Sequence, residues 1–152
     1  MRYFEDLNVG DTFGTATMTV TAADIVEFAR QYDPQPFHLD ADTAQSSVFG
    51  RLVASGWHTA ALTMRLLVQG EVQPAGGMIG LGVEKIEWPR PVLPGDSLRV
   101  STEVTEKRPS RSRPDRGLVK IRSTTFNQRD EPVQVMTSLQ IVLCRPIENL
   151  NP

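Results

Sequence analysis

Alternation of apolar and polar residues divides the chain into a helix-rich first half and a strand-rich second half. From Asp11 to Val20, threonines at 15, 17 and 19 alternate with Ala16, Met18 and Val20, which predicts a first strand. Ile25, Phe28, Ala29 and Tyr32 then recur at the spacing of one buried helical face. Thr21 is the expected N-cap of that helix (Thr21 to Gln31), with Asp24 at N3 in a capping-box arrangement. Pro34 stops it, because a proline pushes the preceding residue out of the α region. Asp40 to Ser47 reads as a short helix, with Asp40 or Asp42 near its start. Ser55 is a candidate N-cap for a longer helix, Trp57 to Gln69, which Gly70 ends. Trp57, Ala60, Ala61, Met64, Leu67 and Val68 follow helical spacing, and Arg65 is the one charge on it. A helix this apolar is expected inside the protein.

Met78 to Trp88 is strand-like with a change of parity. Ile79, Leu81 and Val83 share one face while Ile86 and Trp88 take the other, which predicts a β-bulge. Leu98, Val100 and Val104 mark a half-buried strand, Val119 to Asn127 a further one, and Val133 to Leu143 the cleanest period-2 run. One long buried helix with about five antiparallel strands is an α+β arrangement. With 152 residues and no linker or repeat, one domain over 1–152 is expected.

A net charge of −2 argues against a nucleic-acid binder. The single cysteine, Cys144, fits a packed residue in a reducing compartment. No apolar run approaches the ~20 residues of a membrane span, and the N-terminus lacks a secretory pattern. A cytoplasmic protein, without nucleic-acid or membrane partners, is the expectation.

Both histidines, His38 and His58, lie between Phe28 and His58. Asp33 stands at the helix break, and Pro34-Gln35-Pro36 forms a stiff segment that delivers His38. An acid and an imidazole held at fixed separation are the parts of a general acid–base site, and histidine titrates near pH 6.5 when unperturbed. A purely structural alternative has Asp33 capping the helix with His38 packed beneath it. His58, on the apolar helix, reads as a core or interface residue, or as a second titratable group. Asp33, His38, Asp40 and Asp42 do not form a recognisable metal-ligand motif. The segment Thr105 to Gly117 carries Lys107, Arg108, Arg111, Arg113 and Arg116, and is either a phosphate-binding loop or a solvated hairpin tip.

Tyr32-Asp33-Pro34-Gln35-Pro36-Phe37-His38 resembles the signature of the MaoC-like dehydratases, the (R)-specific (type-2) enoyl-CoA hydratases, which is Gly-Asp-x-Asn-Pro-aliphatic-His. Asp33, Pro36 and His38 match it in type and spacing. Tyr32, Gln35 and Phe37 depart from it. Val53-Ala54-Ser55-Gly56-Trp57 is similar to the family's lead into its central helix. The resemblance implies a hot-dog fold, an antiparallel sheet wrapped around that helix, and a homodimer. It implies hydration of trans-2-enoyl-CoA to (R)-3-hydroxyacyl-CoA, or the reverse, with Asp33 and His38 sharing one water. Gly56 would be the backbone donor to the thioester carbonyl. Phe37, Ser55 and Trp57 would line the substrate pocket, and Arg111 and Arg113 would meet the phosphates of coenzyme A. No cofactor is expected, since coenzyme A enters as part of the acyl-CoA substrate. A hot-dog acyl-CoA thioesterase and a non-catalytic acyl-CoA-binding subunit are the alternatives.

Overall fold

In the computed structural model, which describes residues 1–147, capping chemistry sets the helices. Helix α1, Ala22–Tyr32, begins at Thr21, whose hydroxyl accepts the Asp24 N–H while the Asp24 carboxylate accepts the Thr21 N–H. Asp33 ends it. The Pro34–Pro36 segment is not uniformly extended: Pro36–Leu39 closes one turn of helix, α2, with Pro36 at its first position. Proline's fixed φ suits that position. The Asp40 carboxylate accepts the N–H groups of Asp42 and Thr43 and starts α3, Ala41–Ala44. The long helix α4, Gly56–Gln69, is capped by Ser55, whose hydroxyl accepts the Trp57 N–H.

The strands are β1 (Thr12–Gly14), β2 (Met18–Thr19), β3 (Ile79–Glu87), β4 (Ser97–Pro109), β5 (Arg116–Phe126) and β6 (Pro132–Leu143). They form one antiparallel sheet in the order β1-β4-β5-β6-β3, and β2 also pairs with β4. The sheet has six strands rather than five because the first predicted strand is interrupted. The Thr15 hydroxyl, not a backbone carbonyl, accepts the Val100 N–H, and the ladder breaks there. The expected bulge is present: the β3–β6 register shifts between Gly80 and Gly82 and again between Val83 and Lys85.

Helix α4 lies against the sheet. Leu66 and Leu67 join Val20, Ile25, Leu98, Val100 and Val133 in one buried cluster, and the Thr63 and Thr125 hydroxyls bond at 2.6 Å between helix and β5. A second cluster of Phe4, Leu7, Val104, Val119, Ile121 and Val142 fills the far end of the sheet, with Cys144 packed on it. Burial, then the nearby Glu5 carboxylate, raises the Cys144 thiol pKa and keeps it protonated and inert.

The expectation of an interior α4 holds for only part of its circumference. Trp57, Ala61, Met64 and Val68, at helical i, i+4, i+7 and i+11 spacing, form an exposed apolar stripe. Edge strand β3 likewise exposes Ile79, Leu81 and Val83. Among the described residues no helix is long and apolar enough to cross a membrane.

Candidate active site

The break after α1 and the one-turn helix α2 place Asp33 and His38 face to face. The Asp33 Oδ2 lies 3.3 Å from the His38 Nε2, and both side chains are largely buried. The other ring nitrogen, Nδ1, lies 2.6 Å from the Val53 carbonyl oxygen. A carbonyl only accepts, so Nδ1 must carry the proton. Nε2 is therefore the nitrogen free to exchange a proton, and it faces the carboxylate. Phe37 meets the imidazole edge-on, with ring centroids 4.6 Å apart, and holds its plane.

Burial is the largest single influence on Asp33 and pushes its pKa up. Hydrogen bonding from Ser55 and Gln35, together with the adjacent His38, outweighs it and lowers the pKa below the usual aspartate value. The Gln35 amide donates to Oδ1 at 2.6 Å. The departure from the family motif at Gln35 thus still supplies an amide donor to the aspartate. Ser55 caps α4 and is also one of the groups that lower the Asp33 pKa.

Gly56 opens α4, where helix geometry leaves its N–H without an intrahelical acceptor and the dipole is positive. Its lack of a side chain has a clear steric reason. A Cβ there would stand 2.6 Å from Cε2 of the Trp88 indole. Trp88 in turn meets Trp57 edge-on at 5.3 Å and donates its indole N–H to Gln134. A groove of about 300 Å³ beside this contact is lined by Phe49, Val53, Gly56, Thr59, Trp88 and Val92, among others.

His58 and the loop arginines make no hydrogen bond or ion pair with Asp33 or His38 among the described residues. His58 is buried and stacks on Phe28, with centroids 4.6 Å apart and planes 5° from parallel, and its Nδ1 has no partner. Burial pushes its pKa down, partly opposed by Asp24, which fits a neutral packed ring. Arg111 and Arg113 sit in the turn after β4. That strand is 13 residues long and runs away from the site, so at ~3.3 Å per residue the turn lies roughly 40 Å from the strand's Ser97 end. A single chain does not bring these arginines to Asp33 and His38. The Val53 carbonyl and Trp88 are contributors that local patterns do not reveal, because each meets the site only through chain reversal. No group of three or more His, Cys, Asp or Glu side chains suited to a metal converges among the described residues.

A long helix laid on an antiparallel sheet, with polar groups gathered at the helix's N-terminus, is the hot-dog architecture of the α+β class. The chain belongs to the MaoC like domain family, whose model matches residues 6–125. It is similar throughout to the MaoC-like dehydratase from Rhodospirillum rubrum, at 52% identity and a TM-score of 0.93 over 97% of this chain and 100% of that one. The 3-hydroxybutyryl-CoA dehydratase of Methylorubrum extorquens is 35% identical over 112 residues, 73% of this chain and 69% of the relative. The R-hydratase PhaJ1 from Pseudomonas aeruginosa shares 29% identity and a TM-score of 0.71, covering 99% of this chain and 94% of its own.

Proposed function

We propose that the protein hydrates trans-2-enoyl-CoA to (R)-3-hydroxyacyl-CoA, or catalyses the reverse dehydration. The observation that carries this is the 3.3 Å approach of the Asp33 carboxylate to a His38 nitrogen left free to exchange a proton by the Val53 carbonyl. Such a pair can bind one water beside it, in contact with both groups. As the water oxygen bonds to C3, its proton passes to the pair, and the pair returns a proton to C2. One water is consumed and the C2–C3 double bond becomes single. The Gly56 N–H, at the positive end of α4, would stabilise the enolate-like charge on the thioester oxygen, the kind of electrostatic contribution that is usually largest. Phe37 acts here by holding the His38 ring, while Trp88 and Gly56 border the groove where the thioester would lie and Trp57 packs on Trp88. Names borne by family members support the reaction class.

The test is incubation with crotonyl-CoA. The enoyl conjugation absorbance should fall without release of free thiol, and the product should be the (R)-3-hydroxy thioester. Release of CoA thiol at the same rate would point to a thioesterase. Binding of the thioester with no turnover would point to a non-catalytic subunit.

The active form is proposed to be a homodimer. Strand β3 is an unpaired edge with Leu81 and Val83 each 54% exposed, and the α4 stripe of Trp57, Met64 and Val68 is also apolar and open. Edges of this kind invite pairing, and a two-fold axis would cover both surfaces at once. Light scattering should report twice the chain mass of 16.9 kDa, and Val83→Asp should shift the protein toward monomer. A wild-type monomer at micromolar concentration would exclude this assembly.

A further inference from the structure

A second groove, of about 540 Å³, lies next to the candidate site and plays no part in the chemistry above. Its walls are Arg51 and Leu52, the turn Leu93-Pro94-Gly95-Asp96, and Gln128 with Arg129. It continues from the Gly56 groove along two stretches of chain: Leu52 leads into Val53, and Val92 into Leu93. Arg90 of the Gly56 groove and Arg129 of this one pair with the same Glu131, so the two grooves are neighbours.

The charges in and around it are arranged for an anion. Glu131 bridges two arginines, accepting from the Arg129 Nε at 2.7 Å with one oxygen and standing 3.1 Å from the Arg90 Nε with the other. Both bonds use Nε, so the outer guanidinium nitrogens of both residues stay open, and the trio keeps a net charge of +1. Arg51, on the opposite wall, is exposed and forms no ion pair among the described residues. The one carboxylate lining the groove, Asp96, is 3% exposed and occupied: its two oxygens accept from the Leu93 N–H and the Gln128 amide. It therefore orders the turn and offers little to a ligand.

We infer that this groove, with Arg51 and Arg129 as its cations and Arg90 at the border with the Gly56 groove, is the subsite for the phosphorylated nucleotide end of the thioester substrate. The inference rests on the coenzyme A reading above. Arginine suits the task because its planar fork matches phosphate oxygens in pairs. The pantetheine arm then runs from the Gly56 groove, past Arg90, to Arg51 and Arg129. This subsite takes the role that residue type alone suggests for Arg111 and Arg113, which lie at the other end of β4.

The test compares two substrates in an Arg51→Gln/Arg129→Gln variant whose melting temperature matches wild type. For crotonyl-CoA, KM should rise about tenfold or more with kcat little changed, since charge-assisted hydrogen bonds are lost. For the crotonyl thioester of N-acetylcysteamine, which has no nucleotide, KM should not move. Adenosine 3′,5′-bisphosphate should compete with crotonyl-CoA on the wild type and lose that competition on the variant. An equal KM change for both substrates, or for neither, overturns the subsite. So does a CoA-selective rise in KM on changing Arg111 and Arg113 to Gln instead. If the wild type turns over neither ester, the hydratase reading fails, and titration with adenosine 3′,5′-bisphosphate judges the groove alone. Weaker binding by the variant supports it, and equal binding overturns it.

Discussion

Asp33→Asn should give a folded protein whose kcat on crotonyl-CoA falls by about 10²–10⁴, and His38→Ala should cost a similar factor. The two side chains face one another at 3.3 Å, and the water proposed beside them needs both groups. Their loss is therefore not additive. The double variant should be little slower than the slower single one, as for groups acting as a unit. Substrate KM should stay near wild type, because neither residue reaches the arginine-lined groove. Stability provides an independent readout. Hydrogen bonding and His38 hold the Asp33 pKa below its ordinary value, so the unfolded chain binds the proton more readily. That contribution to stability is present above about pH 3.9 and is lost as pH falls toward the folded value. The Asp33→Asn variant lacks it, so the wild-type advantage in melting temperature should shrink as the medium is made strongly acidic. A folded Asp33→Asn protein turning over at the wild-type rate would refute the acid–base role.

Gly56→Ala should be the most damaging small substitution near the site. The added methyl would stand 2.6 Å from the Trp88 ring, so the indole has to move. Its hydrogen bond to Gln134 would then be lost. Gln134 is fully buried and its amide nitrogen already lacks a partner, so further loss there is costly. Overpacking of this kind costs about 1–3 kcal/mol. Val53, three residues before Gly56, holds the His38 ring through its carbonyl, so displacement of the turn reaches the Asp33/His38 pair. Misplacement of reacting groups by even about 1 Å is expensive, and kcat/KM should fall by roughly 10- to 10²-fold. Adding Trp88→Leu should recover only part of the lost melting temperature, since it removes the clash without restoring the hydrogen bond to Gln134. Unchanged stability and activity in Gly56→Ala would mean that neither the indole contact nor the tight turn matters.

Much of the architecture is visible in local pattern. Thr21 with Asp24, Asp40, and Ser55 each cap the helix expected of them, since a cap is a contact between residues two or three apart. The parity slip between Val83 and Ile86 marks a real register shift, because side-chain period is tied to strand pairing. Asp33 and His38 are likewise close in sequence, separated by two prolines and one helical turn, so their meeting is nearly a local event.

Long-range features are less legible. The Thr15 hydroxyl interrupts the first strand only because Val100 arrives beside it. The apolarity of α4 suggests full burial, yet one stripe remains uncovered by the chain's own sheet; hydrophobicity reports that a face wants a partner, not which molecule provides it. Arg111 and Arg113 cluster in the linear chain, whereas Arg51, Arg90 and Arg129 come from separate loops and share no local signal.

By itself, then, the sequence determined the main helices and strands, their caps, the bulged strand and the candidate acid–base pair, all set by contacts between residues near one another in the chain. Only the tertiary structure decided which nitrogen of His38 is free to exchange a proton, through the carbonyl of Val53 fifteen residues away. It also decided what Gly56 makes room for and which arginines flank the site, because these depend on how the sheet folds back onto α4.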